Sequence, residues 1–252
     1  MWKPIRFDEL PSTQTYAKNL LHSGKAKHGD VVIASHQSEG RGRFADRIWH
    51  DEPRANLLMS VILTKVPEKY REQMQFVAAF LVYQFVNTWL IEVLNDEEVN
   101  VQLKWINDVL VDNKKVSGIL TESIWSGDTW KGVVIGIGVN INQELFPPEI
   151  VDRASSFANV AKRKFDLRQI EEELLYSLAL MFELFEAGAD IIEFVRPALE
   201  WMRTIGTFAV RDADSMLHDG LRYDGIDDDG TLRCVMSEGA IVRFQNATLI
   251  LP

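Results

Sequence analysis

Apolar and polar residues follow two rhythms along the chain. Residues 5–8, 31–37 and 56–63, and later 101–105, 116–123 and 130–142, alternate or run apolar over short stretches, which predicts strands. Over residues 68–94 the apolar positions recur at helical spacing (Phe76, Ala79, Phe80, Tyr83, Val86, Leu90, Val93), which predicts one long amphipathic helix covering a face of a sheet. Pro11-Ser12-Thr13 predicts a hydroxyl-capped start for a helix at 15–21 that stops near Gly24. Turn chemistry at Asp112-Asn113 and Ser126-Gly127-Asp128 makes hairpins of the middle strands. No βαβ rhythm is evident, so the pattern predicts an α+β fold with a mixed sheet rather than a doubly wound one.

After Pro147-Pro148 the helical period returns over 166–187 and 189–202, the second stretch bent or interrupted at Pro197. From Thr204 the pattern changes to short strands at 207–211, 221–226, 231–235, 240–244 and 248–251, joined by Asp/Gly turns as in a small β-barrel. Asp227-Asp228-Asp229-Gly230 reads as one of those turns and lacks the spacing of a calcium loop. The expected division is 1–203 and 204–252.

Composition narrows the function. The chain has 252 residues, a net charge of −10 and a single cysteine, Cys234. That charge gives no general field for nucleic acid, and one cysteine excludes an internal disulfide and multi-cysteine metal templates. The five histidines are dispersed, so any metal is expected to arrive with a nucleotide. The N-terminus has no basic and apolar leader pattern, and the apolar run at 76–86 is short and interrupted by Tyr83 and Gln84, so a cytoplasmic protein with no membrane partner is expected.

Three stretches carry candidate chemistry. Gly40-Arg41-Gly42-Arg43, with Arg47 and Trp49 behind it, pairs a freely turning backbone with forked donors suited to phosphate or carboxylate oxygens. On these residues alone, a solvated loop explains the pattern equally well. In residues 133–142, Val133, Ile135, Ile137, Val139 and Ile141 share one strand face, leaving Gly136, Gly138, Asn140 and Asn142 on the other as bare backbone and two amides. This face suits either a close ligand or a bend in a packed sheet. A dinucleotide-binding glycine motif is excluded, because its third glycine would fall at Ile141 and no helix follows. In residues 101–108, Lys104 is out of phase with the apolar Leu103 and Trp105, so it stands on the polar face, either as an ordinary exposed lysine or as a fixed charge for a phosphoryl group, and Trp105 reads as core.

The order of these stretches resembles the biotin protein ligase family over nearly the whole chain. The resemblance rests on Ser12-Thr13-Gln14, Gln37 before Gly40-Arg41-Gly42-Arg43, Lys104-Trp105-Ile106-Asn107-Asp108, Lys115 with Gly118-Ile119-Leu120, and the stretch 136–142. It implies a catalytic domain like that of class II aminoacyl-tRNA synthetases, followed by a small SH3-like barrel. It also implies a single-function enzyme without an N-terminal DNA-binding domain, which adenylates biotin with ATP and Mg²⁺ and passes it to a lysine of the biotin carboxyl carrier protein of a carboxylase such as acetyl-CoA carboxylase. No nucleic-acid partner is expected, and a homodimer is left open.

Carried over by position, Ser12, Thr13 and Gln37 meet the ureido ring, residues 40–43 close over biotin and its adenylate, and Lys104 sits at the reacting carboxylate and α-phosphate with Arg41 and Arg43. Asn140, Trp49 and Lys115 fall at nucleotide contacts. Gln14, Asn107, Gly118, Gly136 and Gly138 complete the expected site, and Asp108 is a candidate helper in deprotonation. Three departures from the family pattern stand out: Ile106 where proline is usual, Gln14 where asparagine is common, and one extra residue in the loop 40–49. The rival readings are a lipoate-type ligase, a binding module without turnover and a transcriptional regulator.

Overall fold

The computed structural model describes residues 2–44, 47–188, 190–245 and 247–252. Seven strands form one mixed sheet: β1 (Lys3–Phe7), β2 (Asp30–Ala34), β3 (Asn56–Leu63), β4 (Val101–Lys104), β5 (Asp108–Val111), β6 (Lys114–Ser126) and β7 (Thr129–Asn140). Their order is β1-β2-β3-β7-β6-β5-β4. Only β1 and β2 run parallel, joined by α1 (Thr13–His22), and every other neighbouring pair is antiparallel. The α+β expectation holds, with one βαβ unit that the sequence pattern did not reveal.

Period-two alternation decides what lies on each side of this sheet. Odd-numbered Val31, Ile33, Val61, Leu63, Val133 and Ile135 face the main core, whereas even-numbered Val32, Ile62, Ile124 and Val134 pack with Ala17 and Leu21 of α1. Ser12 caps α1 as expected, its hydroxyl accepting from Thr15 N–H at 3.4 Å.

The main core is built on α2 (Met74–Leu94), and here two expectations fail. A separate 3₁₀ turn (Glu68–Tyr70) precedes α2, and the helix, on which only Gln84, Thr88 and Glu92 are exposed, is far more apolar than an amphipathic surface helix. It needs to be, because β4, β5 and β6 cover one side while α4 (Leu167–Glu186) and α5 (Ile191–Leu199) cover others. Its length and apolarity would suffice to cross a membrane, but most of it is buried inside the fold. A further short helix, α3 (Phe157–Ala161), was not anticipated from the pattern; it buries Phe157 against Trp89 of α2. Ala189, expected to begin the last helix, lies outside the described residues; α5 carries Pro197 within it and passes into a 3₁₀ turn, Glu200–Thr204.

The remaining strands, β8 (Phe208–Arg211), β9 (Leu217–Ile226), β10 (Leu232–Val235), β11 (Ile241–Phe244) and β12 (Thr248–Ile250), form an antiparallel five-stranded sheet ordered β11-β10-β9-β8-β12. Its inward side chains Phe208, Leu221, Ile226 and Leu232 join the same apolar cluster as α2. Trp105 Nε1 ties the sheets together by donating to Gly230 O at 3.1 Å, and Trp201 Nε1 of the 3₁₀ turn donates to Leu103 O of β4 at 2.9 Å. Trp105 is thus core, as expected.

Gly230 closes the Asp-rich turn between β9 and β10 with φ +83° and lies directly against the Phe76 ring. A methyl group there would collide with that ring and strain the left-handed backbone. Gly230→Ala should therefore lower unfolding free energy by about 3 kcal/mol, combining overpacking with left-handed strain. Urea denaturation checks this, and a change within about 0.5 kcal/mol would show that the turn is not seated as described.

Candidate active site

One row of residues runs straight across five strands. Leu58 pairs with Gly138, Gly138 with Gly118, Gly118 with Asp108, and Asp108 with Lys104. Paired residues share a face, so two adjacent strands carry no side chain in the middle of this row, and a carboxylate and an ammonium group follow. The Trp49 ring fills the gap: a methyl at Gly138 would lie 2.5 Å from it, and one at Gly118 would lie 2.9 Å away. The glycines of 136–142 therefore mark a close approach rather than a bend. The indole Nε1 is buried without a partner.

The expected loop 40–49 is a short ladder rather than an irregular coil. Arg41 bridges Ile48, Gly42 N–H donates to Arg47 O at 2.8 Å, and Trp49 N–H donates to Gly40 O at 3.0 Å. Ala45 and Asp46, at its tip, lie outside the described residues. Gly40 must be small, since a methyl there would stand 2.9 Å from Trp49 O. The arginines spend donors on the protein itself: Arg41 Nη2 on Thr15 Oγ1, and Arg43 Nη1 on Ala247 O at 3.2 Å beside β12.

Beneath the loop opens a cleft of about 940 Å³. Of the expected residues, Arg41, Gly42, Arg43, Trp49, Lys104, Asn107, Lys115, Gly118 and Asn140 line it. Asn140 donates through Nδ2 to Ser155 O at 3.0 Å and leaves Oδ1 buried without a partner. The neighbouring Asn142 is a latch instead, exchanging hydrogen bonds of 2.8 and 2.9 Å with the backbone of Phe165.

Thr13, Gln14, Gln37 and Gly136 meet in a separate network under the first turn of α1, while Ser12 caps that helix and Gly40 and Gly138 lie against Trp49. Gln37 Oε1 accepts from Thr13 N–H at 2.8 Å and from the Thr13 hydroxyl at 3.1 Å. Ser60 Oγ lies 2.9 Å from Thr13 Oγ1 and 3.0 Å from Gln14 Oε1. Gln14 Nε2 donates to Glu122 Oε2 at 2.9 Å, and a methyl at Gly136 would lie 2.7 Å from Gln14 Oε1. Gln14, longer than the asparagine common at this position, is thus accommodated by Gly136 and oriented by Glu122. Ser60 and Glu122 were missed in the sequence; an alternating serine and an acidic strand residue give no local sign of a shared network.

Asp108 is the electrostatic centre of the cleft. Lys115 Nζ lies 2.6 Å from Asp108 Oδ1, and Lys104 Nζ lies 3.9 Å from Oδ2. Lys115 reaches it because of a register shift between Val109 and Leu110, which breaks the alternation and brings an odd-numbered residue to the even-numbered face. Burial alone would raise the Asp108 pKa, but Lys115 and Lys104, with Arg43, outweigh it and hold the carboxyl below its ordinary 3.8. Burial pushes the Lys104 pKa down; Asp108 opposes this, while Lys115, Arg47 and Arg153 push it further. Arg43 is likewise lowered by burial, against the pull of Asp108. The cleft is therefore cationic beyond what its carboxylate neutralises, and an added anion would relieve it.

Comparison with known proteins gives the family and the fold. A profile of the biotin/lipoate A/B protein ligase family matches residues 7–140. The bifunctional ligase/repressor BirA of Bacillus subtilis is 36% identical over 176 residues, covering 68% of this chain and 51% of that protein. The biotin–[acetyl-CoA-carboxylase] ligase of Mycobacterium tuberculosis is 34% identical over 182 residues, 70% of this chain and 63% of that one. The chain thus spans about half the length of the B. subtilis relative. The biotin protein ligase of Aquifex aeolicus, solved in complex with biotin and ATP, superposes with a TM-score of 0.78 at 24% identity, covering 100% of both chains. That last likeness is one of fold.

Removing the carboxylate tests the electrostatic account. Asp108→Asn leaves Lys104 and Lys115 uncompensated and should cost about 3 kcal/mol of stability at neutral pH. The folded pKa of Asp108 lies below its unfolded value, so its contribution is full above the unfolded pKa and disappears as pH falls through the folded one. Between about pH 5 and neutrality the stability gap between wild type and variant should be constant, and it should close on further acidification. Thermal melts across pH measure it; a gap that widens in acid would refute the assignment.

Proposed function

The chain belongs to the biotin/lipoate A/B protein ligase family, and from that premise we propose that it activates biotin with ATP as biotinyl-AMP and transfers the biotinyl group to a lysine of a carrier protein. The observation that carries this is the row in which bare backbone at Gly118 and Gly138 adjoins the Asp108–Lys104 pair, roofed by an arginine-bearing loop.

The cleft's residues suit the first step. A biotin carboxylate oxygen attacks the α-phosphorus of ATP, pyrophosphate leaves with the electron pair of the broken P–O bond, and a mixed anhydride remains. Negative charge grows on the phosphate oxygens, and Lys104, Lys115, Arg41 and Arg43 supply cations around them. The depressed Lys104 pKa marks a site awaiting an anion, because a phosphate beside it would restore the ordinary preference for the charged form. The buried network of Thr13, Gln37 and Ser60 suits the polar ring of biotin, and Trp49 with the unpartnered Asn140 Oδ1 suits the nucleotide.

In the second step the neutral amine of the acceptor lysine attacks the biotinyl carbonyl, the C–O bond to phosphate breaks with its electron pair leaving on AMP, and the amine's proton passes to the departing phosphate or to water, so positioning does most of the work. Asp108 is poorly suited to take the amine's proton, being ion-paired and held below the ordinary carboxylate range. Its proposed work is to hold Lys104 and Lys115 in place. The same pairing leaves it unfit as a ligand for Mg²⁺, and among the described residues no group of three carboxylate, histidine or cysteine side chains could hold a metal ion. We assign Mg²⁺ to the nucleotide's own phosphates. We also propose that residues 1–203 form the catalytic unit and 204–252 a smaller one that closes the cleft through residues 248–252 and helps to receive the carrier.

Biotin-dependent exchange of labelled pyrophosphate into ATP tests the reading. Exchange should occur with biotin and not with lipoate, and Lys104→Ala should reduce it by about 10²–10³-fold while melting stays cooperative. Exchange with lipoate alone would reassign the substrate, and a wild-type rate in Lys104→Ala would remove that lysine from the chemistry.

A further inference from the structure

The two ends of the ligand-covering loop are tied together by a buried carboxylate that the chemistry above does not use. Asp51 stands just after the loop and His36 just before it, and the Asp51 side chain is 1% exposed. Its Oδ2 accepts from His36 Nδ1–H at 2.9 Å and from the backbone N–H of Gln37 at 3.4 Å. Other bonds anchor each end outward. Leu10 N–H donates to His36 O at 3.1 Å, Glu39 N–H donates to Pro11 O at 2.8 Å, and Glu52 N–H donates to Gln143 Oε1 at 3.3 Å. Arg54 N–H, donating to Ser35 O at 2.8 Å, extends the β2–β3 ladder toward the loop, and Asp51 carries the link one step further through its side chain.

What this link fixes is Gln37. Its backbone N–H is held by Asp51, and its side-chain oxygen is aimed at Thr13. Thr13 N–H can only donate, so the Gln37 amide cannot flip, and its Nε2 is turned toward the loop at Gly40, 3.4 Å from where a methyl there would lie. The loop's own ladder joins backbone groups of residues 40–42 to those of residues 47–49 and makes no bond to the Gln37 side chain, so it cannot by itself hold that orientation. Burying a carboxylate for a simple loop tie would be costly, whereas a carboxylate that accepts two donors on adjacent residues sets an angle as well as a distance.

We propose that Asp51, with His36 as its partner, is a positioning residue for the biotin head group. It acts through Gln37 and leaves the nucleotide half of the cleft alone. This rests on the biotin reading above.

Three variants and two readouts test it in the full chain. Asp51→Ala and His36→Phe should each raise the KM for biotin about tenfold, the scale of one lost charge-assisted hydrogen bond, with the KM for ATP within about twofold of wild type. His36→Asn, whose amide nitrogen can take the place of Nδ1–H, should restore the biotin KM to near the wild-type value. A merely structural tie would instead lower the melting temperature without separating the two KM values, and that outcome overturns the proposal; so does His36→Asn behaving like His36→Phe.

The second readout needs no activity. In the free protein the Gln37 amide should exchange with deuterium about tenfold faster in Asp51→Ala than in wild type. If wild type shows no biotin-dependent pyrophosphate exchange, the ligase reading fails, and with it the biotin role of this link. Unchanged exchange at Gln37 overturns the link itself.

Discussion

Strand register is the constraint on which the site depends. The ladder carries one row from Leu58 through Gly138, Gly118 and Asp108 to Lys104, and a slip of one residue in any of these pairings would send its members to the opposite face. Register is held by what lies behind the row: Ile119, Ile137, Val139 and Val109 are buried against the core around α2. The row can be bare and charged because its reverse side is apolar. This also explains why residues 74–82 of α2 are buried on nearly all sides between the sheet, α4 and α5, whereas the polar Gln84, Thr88 and Glu92 farther along reach solvent.

The cations gain their character from the same arrangement. Lys104 and Asp108 meet by hairpin pairing, while Lys115 joins them through a break in the alternation, so three charges converge from three strands without a long flexible reach. Fixed charges that are already desolvated need not reorganise when phosphate charge develops, which is where such groups contribute most. The cost appears as the depressed pKa of Lys104 and is limited by Asp108. Asp108, read in the sequence as a candidate proton acceptor, is thus better understood as the anion that makes the neighbouring cations tolerable.

Much of this was legible in the sequence, for identifiable reasons. The strand 56–63 and the turn at Asp227-Asp228-Asp229-Gly230 carry their own local signals, and so does the alternation that set Gly136, Gly138 and Asn140 apart from the isoleucines and valines of β7. Lys104 could be placed on a polar face from its two apolar neighbours. What escaped were relations between distant segments: the short strand β5, the irregular register that turns Lys115 inward, Ser60 and Glu122 in the Gln14 network, and the pairing of His36 with Asp51. None of these leaves a periodic trace, because each depends on tertiary pairing rather than on the residue's own neighbours in the chain. The amphipathic reading of α2 failed in the opposite way: a real helical period was present, but nearly every other position was apolar as well.

A net charge of −10 and a cationic cleft are compatible because they act over different distances. Arg41, Arg43, Arg47, Lys104, Lys115 and Arg153 line the cleft, against Asp108 and Asp152. At physiological ionic strength, charges interact through solvent over about 8 Å. A phosphate-bearing substrate approaching from afar therefore meets a weakly repulsive protein and feels the cleft only near its mouth. Long-range steering cannot supply the affinity, so it must come from contacts made inside, where solvent is excluded and each forked donor counts for more. Of the loop's cations, Arg41 and Arg43 are held by the protein's own contacts, one guanidinium group resting on the Thr15 hydroxyl and the other on the Ala247 carbonyl.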